Sequence, residues 1–214
     1  GIVMMSDHVT DKIASAIRQS PVPVVLAGSM INDCSIPTVN IDYFQAAIDA
    51  IQLFINKGHK EIAFVSGPLE YTINGEHKLG AYKQALQQAN IEINDQLIDA
   101  TDGTYDEALL SWESFVQKAH VPTAIFAGSD EIALGVIHAI QDAGKRVPED
   151  VEVISFENSK LARMIRPQLT SVALPLYDIG AVSMRLLTKL LNKEEVPDKN
   201  VILPYRIETR KSTK

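Results

Sequence analysis

Short apolar runs alternate with helical patterns along almost the whole chain, and this rhythm restricts the fold more than any other feature. Apolar runs at Ile2 to Met5, Val22 to Ala27, Ile62 to Ser66, Thr123 to Ala127, Val151 to Phe156 and Ser171 to Leu174 read as strands. Helical periodicity falls between them, near His8 to Gln19, Tyr43 to Lys57, Asn74 to Asn90, Asp106 to Ala119, Glu131 to Ala143 and Tyr177 to Asn192. Such alternation is the signature of βαβ units, and so of an α/β fold with parallel sheets flanked by helices. Gly58 and Gly144 stand just past two of the helices, where a left-handed cap is wanted.

In open parallel sheets, ligands sit beyond the carboxyl ends of the strands. Ser66, Ser129, Asp130, Glu157 and Asn158 would therefore face one crevice. Hydroxyls, an amide and carboxylates suit a polyhydroxylated ligand better than acid/base chemistry. Each also has a plainer reading. Ser129-Asp130 follows a strand and opens a helix, as an N-cap does, and Ser66-Gly67-Pro68 is a turn by composition.

Catalytic and metal motifs are absent. His8, His59, His77, His120 and His138 are widely spread, with no HExxH and no cysteine partner. Nor is there a Walker A loop, a GxGxxG after a strand, or a GxSxG elbow. An enzyme using His77 and Glu157 as an acid/base pair is the weakest reading, because no nucleophile, cofactor or metal motif supports it. Cys34 is the single cysteine, which excludes an internal disulfide and fits a reducing compartment.

Composition narrows the partners. The formal net charge of −7 argues against non-specific nucleic-acid binding by this segment, since phosphate attraction needs a basic patch. Only the tail, with Arg206, Arg210, Lys211 and Lys214, is locally basic, and a frayed terminus is the expectation there. No apolar run reaches the roughly 18 residues of a membrane span and no signal peptide is evident, so the expected location is cytoplasmic. Gly1 leads straight into an interior-type strand, so the chain reads as a piece of something longer.

The helix at Tyr177 to Asn192 is more organised than packing alone requires. Asp178, Arg185 and Lys189 stand at i, i+7 and i+11, within about 40° of one another on a helical wheel. Ile179, Leu186, Leu187 and Leu190 occupy the opposite side. A solvated polar face is the ordinary explanation, but Ala181 and Met184 fall outside the core arc, and methionine favours adaptable contact surfaces. The helix at Glu131 to Ala143 is apolar over half its circumference or more. Leu134, Ile137 and His138 on it, with Met164, are candidates for a subunit interface, the alternative being burial by neighbouring helices.

Four segments carry a family resemblance: Gly58-His-Lys-Glu-Ile-Ala-Phe-Val-Ser-Gly67, Pro122-Thr-Ala-Ile-Phe-Ala-Gly-Ser-Asp130, Val147-Pro-Glu-Asp-Val-Glu-Val-Ile-Ser-Phe156 and Arg166-Pro-Gln-Leu-Thr-Ser-Val172. In this order they resemble the signature segments of LacI/GalR-family transcription regulators. That resemblance implies a two-lobed, periplasmic-binding-protein-like (type I) core with an incomplete N-terminal lobe, lacking the helix-turn-helix headpiece through which such regulators bind DNA. The N-terminal lobe would comprise residues 1–41 and 172–202, and the C-terminal lobe residues 42–171 and 203–214.

The resemblance also implies partners. The stretch from Leu176 to Lys189 is similar to a helix in family members that mediate carbon catabolite control, whose co-repressor is the phosphocarrier protein HPr phosphorylated on a serine. Tyr177, Asp178, Arg185 and Lys189 would form the docking surface, and the regulator would be a homodimer. Many members carry an arginine for sugar or purine in the helix after Ser66-Gly67-Pro68, at a position read here as His77. An imidazole does not replace that planar, always-charged fork, which argues against a neutral sugar in the usual pose and leaves a sugar phosphate as a candidate. No cofactor is implied. The rival reading is a solute-binding receptor for a sugar or nucleoside held between the lobes.

Overall fold

Val24–Ala27 (β2), Thr38–Ile41 (β3), Ile62–Ser66 (β4), Ala124–Ala127 (β6) and Thr170–Ala173 (β8) are buried at every position, as strands covered on both faces must be. They belong to two sheets in a computed structural model that describes residues 1–6, 8–31 and 35–214. Cys34 lies outside the described residues. Two compact units result: residues 1–43, 71–73 and 175–205 form the first, and residues 44–70, 74–174 and 206–214 the second.

In the first unit a wholly parallel sheet runs in the order β1-β2-β3-β9, with β1 at Ile2–Met4 and β9 at Asn200–Leu203. Helix α1 (Asp11–Arg18) starts three residues later than the periodicity suggested, because the Thr10 side chain accepts the Ile13 N–H and sets the boundary. Helix α7 (Leu176–Leu191) covers the sheet, burying Ile179, Leu186 and Leu187 against Val25, Ala27 and Val39.

The second unit holds a six-stranded sheet in the order β10-β8-β7-β6-β4-β5, with β5 at Ile98–Ala100, β7 at Glu152–Glu157 and β10 at Arg206–Glu208. All its neighbours are parallel except β10, which pairs antiparallel with β8. On one face Phe64, Phe126 and Phe156 succeed one another at centroid spacings of 5.9 and 6.1 Å, beneath α2 (Tyr43–Asn56) and α3 (Gly80–Gln88). Tyr82 of α3 packs on Phe64 and donates to Ile62 O at 2.8 Å, and burial pushes its hydroxyl well above the ordinary tyrosine range. On the other face α4 (Tyr105–Gln117) and α5 (Asp130–Asp142) pack against each other and the sheet. Gly58 and Gly144 adopt φ of 85° and 73° just past α2 and α5, the left-handed caps expected of them.

Two expectations need correction. The helix predicted over Asn74 to Asn90 is interrupted: Ile73–Leu79 is wound as a π-helix, and α-geometry begins only at Gly80. The tail is not frayed either. Arg206–Glu208 adds a strand to the sheet, Ser212 is fully buried, and its hydroxyl donates to Val153 O at 2.6 Å while accepting Thr170 N–H at 2.8 Å. Arg210 donates to Leu169 O and to Asn158 Oδ1, each at 2.6 Å. Its charge is used inside the protein, which composition alone could not reveal.

Candidate functional site

Helix α7 begins at Pro175, whose carbonyl accepts Ile179 N–H, and no side chain caps it. Asp178 lies in its first turn and Lys189 in its last, each matched to the helix dipole. With Ile179, Ser183, Leu186 and Leu187 turned inward, the outward arc carries Tyr177, Asp178, Gly180, Ala181, Met184, Arg185, Thr188, Lys189 and Leu191. Tyr177 is 86% exposed and Met184 55%. Among the described residues, Asp178, Arg185 and Lys189 make no ion pair, so the acid and both bases face solvent unsatisfied by the chain itself.

This arc has two halves. Tyr177, Ala181, Met184 and Leu191 make one side apolar, and Asp178, Arg185 and Lys189 make the other charged. Nothing lies within 4 Å of where a Cβ on Gly180 would stand, and Ala181 beside it is equally short. The helix surface is therefore notched between Tyr177 and Met184. An apolar notch flanked by two free cations suits a protein surface bearing an apolar anchor and an anion.

The crevice candidates of the second unit do not share one environment. Ser129 is the N-cap of α5, accepting Ile132 N–H at 3.1 Å, as its plainer reading required. Asp130 is fully buried. Its Oδ1 accepts from Ser155 Oγ at 2.6 Å and from Ser171 Oγ at 3.0 Å, and its Oδ2 accepts Ser159 N–H at 2.5 Å. Expected to face a ligand, Asp130 instead ties β7, β8 and the start of α6 (Lys160–Met164) to α5. Its aperture is closed by those donors.

Ser66 is fully buried too, with no hydrogen-bond partner for its hydroxyl, tucked where a Cβ on Gly128 would stand only 2.3 Å away. Glu157 and Asn158 both take positive φ, 105° and 57°, a costly backbone for glutamate. Asn158 is held there by its N–H on Ser171 Oγ and by Arg210 on its amide oxygen. Glu157 remains partly exposed.

Sequence reasoning missed Lys78. His77 drew attention as the site of the lost arginine, yet the neighbouring Lys78 is the side chain that goes inward, only 6% exposed. Its ammonium donates to Gly128 O at 2.7 Å and to Asn74 Oδ1 at 3.4 Å, and stands 4.7 Å from the centre of the Phe156 ring. The π-winding of Ile73–Leu79 changes which residue faces the strand ends, a shift invisible to a period of 3.6.

The interface candidates divide likewise. Ile137 is fully buried in the unit's own core, which α4 and α5 build together with the sheet, so its side chain is not available for a subunit contact. Leu134 is partly buried against the same core. His138 Nδ1 meets Tyr105 OH at 2.8 Å, within the α4–α5 pair. Met164, 71% exposed, is the candidate that projects outward. Among the described residues there is no cluster able to hold a metal ion, and no helix is long and apolar enough to cross a membrane.

Residues 51–213 match the periplasmic binding protein-like domain. Catabolite control protein A of Priestia megaterium is 53% identical over the whole chain, and that of Staphylococcus epidermidis 44%. The chain spans 64% of the length of these curated relatives. Among solved structures, the transcription regulator CcpA of Lactococcus lactis superposes with a TM-score of 0.92 at 39% identity, over 99% of this chain and 77% of that one. A transcriptional regulator CelR in complex with cellobiose superposes at 0.91, with 29% identity over 99% and 65% of the two chains.

Proposed function

Because the chain belongs to the LacI/GalR family of transcription regulators, with its periplasmic-binding-protein-like fold, we propose that it is the sensing core of a regulator of carbon catabolite control. In this reading α7 docks serine-phosphorylated HPr. A phosphoserine carries nearly two negative charges and three acceptor oxygens, which Arg185 takes bidentately while Lys189 adds a second cation. Asp178 repels the phosphate and selects a basic or histidine side chain beside it, and Tyr177 and Met184 supply apolar contact. The observation that carries the reading is the unpaired Asp178, Arg185, Lys189 stripe alongside exposed Tyr177 and Met184.

Docking regulates only if the partner prefers one conformation of the regulator, in which case binding shifts the population toward it. DNA contact belongs to the regulator as a whole, as does dimerisation, for which exposed Met164, with the partly buried Leu134 and His138, offers candidate contacts. Calorimetric titration with phosphorylated and unphosphorylated HPr, on this chain and on Arg185→Ala, tests the proposal. Tight binding confined to the phosphorylated partner and the unaltered helix is expected. Equal affinity in all four pairings would end it.

A second reading concerns a small ligand at the strand ends of the second unit, and Lys78 favours it. A buried ammonium held on Gly128 O and over the Phe156 ring gives that site a cation, so an anionic ligand such as a sugar phosphate suits it better than a neutral sugar.

A further inference from the structure

Met184 occupies an unusual place for a methionine. Its side chain stands on the arc of α7 opposite the buried Ile179, Ser183, Leu186 and Leu187, more than half exposed, at the apolar edge of the notch formed by Gly180 and Ala181. It contributes nothing to the core of its unit, and the Thr188 hydroxyl bonds only its backbone carbonyl, at 2.9 Å. Chemistry at the thioether can therefore change the face without changing the fold. Of the other methionines, Met4 and Met30 are partly buried, while Met5 and Met164 are exposed at 64% and 71% but stand on other elements, so peroxide reaches them too and the docking effect has to be assigned methionine by methionine.

We infer that Met184 is an oxidation site that switches off docking, an inference resting on the docking reading of α7. The co-reactant is a peroxide. One peroxide oxygen is transferred to the thioether sulfur: an S–O bond forms, the O–O bond breaks, the sulfur loses two electrons, and hydrogen peroxide is reduced to water. Susceptibility follows exposure, and the free face leaves this sulfur open to solvent. Once formed, the sulfoxide puts a strong acceptor where the partner requires an apolar surface, and covering it leaves that oxygen desolvated without a donor. A bound partner shields the sulfur, so oxidation and docking exclude each other.

The test uses the whole chain, hydrogen peroxide, serine-phosphorylated HPr and a Met184→Leu variant, with peptide mapping to quantify sulfoxide at each methionine. Oxidation at Met184 is expected to weaken binding roughly tenfold or more while leaving the melting temperature unchanged. Methionine sulfoxide reductase should restore binding, and peroxide should leave the affinity of Met184→Leu where it stood before treatment, whatever that starting affinity, because the oxidisable sulfur is gone. Unchanged affinity of a chain mapped as oxidised at Met184 would overturn the inference, as would an equal loss in Met184→Leu. A failure of the untreated chain to bind the phosphoprotein at all would remove the docking reading itself, and the inference with it.

Discussion

Ser155 Oγ donates to Asp130 Oδ1 at 2.6 Å, joining the middle of β7 to the first residue of α5 inside the second unit. Ser171 and the Ser159 amide complete the carboxylate's shell, so Asp130→Ala strands two buried hydroxyl donors and a part-buried amide at once. A loss of about 2–4 kcal/mol is expected, read as a lower urea midpoint with unchanged slope. Ser129→Ala removes a single cap bond and should cost only about 1 kcal/mol.

The tail makes a comparable claim on stability. Ser212 donates to Val153 O and accepts Thr170 N–H, so Ser212→Ala leaves a carbonyl and an amide unpaired in a site closed to water. About 1–3 kcal/mol is expected by chemical denaturation. Lys211→Ala, an exposed neighbour, should change stability by less than about 0.5 kcal/mol. A tail as loose as its composition suggests would show no difference between the two.

How much was legible follows from where the pattern came from. Strands read from continuous apolar runs, such as β4 and β6, appear within one residue of their expected limits, because burial on both faces demands such runs. Thr38–Ile41 went unread: Asn40 interrupts it, and the reason a polar residue can stand there is tertiary, its amide donating to Ser29 O at 2.9 Å. Strands β5, β9 and β10 are three or four residues long and partly exposed, so they exist by pairing rather than by pattern. On α7 the sequence located both the buried and the charged sides, since a regular helix maps position to face. At Lys78 the same arithmetic failed, the winding there being π.

Lys78 and His77 can be told apart by a ligand. If the strand ends of the second unit take a sugar phosphate, Lys78→Met should weaken binding of glucose 6-phosphate at least tenfold, a charge-assisted contact being worth roughly 1.5–3 kcal/mol. His77→Ala should stay within about threefold. The reverse ranking, measured by calorimetry, would return the site to the imidazole.

The Arg146–Asp150 pair offers a pH test. Arg146 donates to Asp150 Oδ2 through both its side-chain Nε, at 3.1 Å, and its backbone amide, at 2.8 Å, holding the carboxyl down to about 2. A depressed carboxylate stabilises the fold above its ordinary value near 3.8, and that contribution fades as the pH falls through about 2. Both groups are exposed, so the effect is modest and salt-sensitive. NMR titration of Arg146→Ala should show Asp150 moving only part of the way back, because the backbone amide still donates. A full return would mean the guanidinium acts alone.

Gly180 and Ala181 separate stability from docking on α7. Gly180 sits in the interior of an exposed helical stretch with open space above it, so Gly180→Ala gains helix propensity without a clash. A rise of about 0.5–1 kcal/mol in stability is expected. Ala181→Glu should leave stability within about 0.5 kcal/mol, since the side chain points to solvent, yet it sets a carboxylate on the face proposed to receive phosphoserine. Like charges brought together under partial desolvation should weaken binding of serine-phosphorylated HPr at least tenfold. The weakening should be smaller for Ala181→Gln, which matches the size without the charge. Equal losses for the two substitutions would show that shape at the notch, rather than charge beside Arg185, governs recognition.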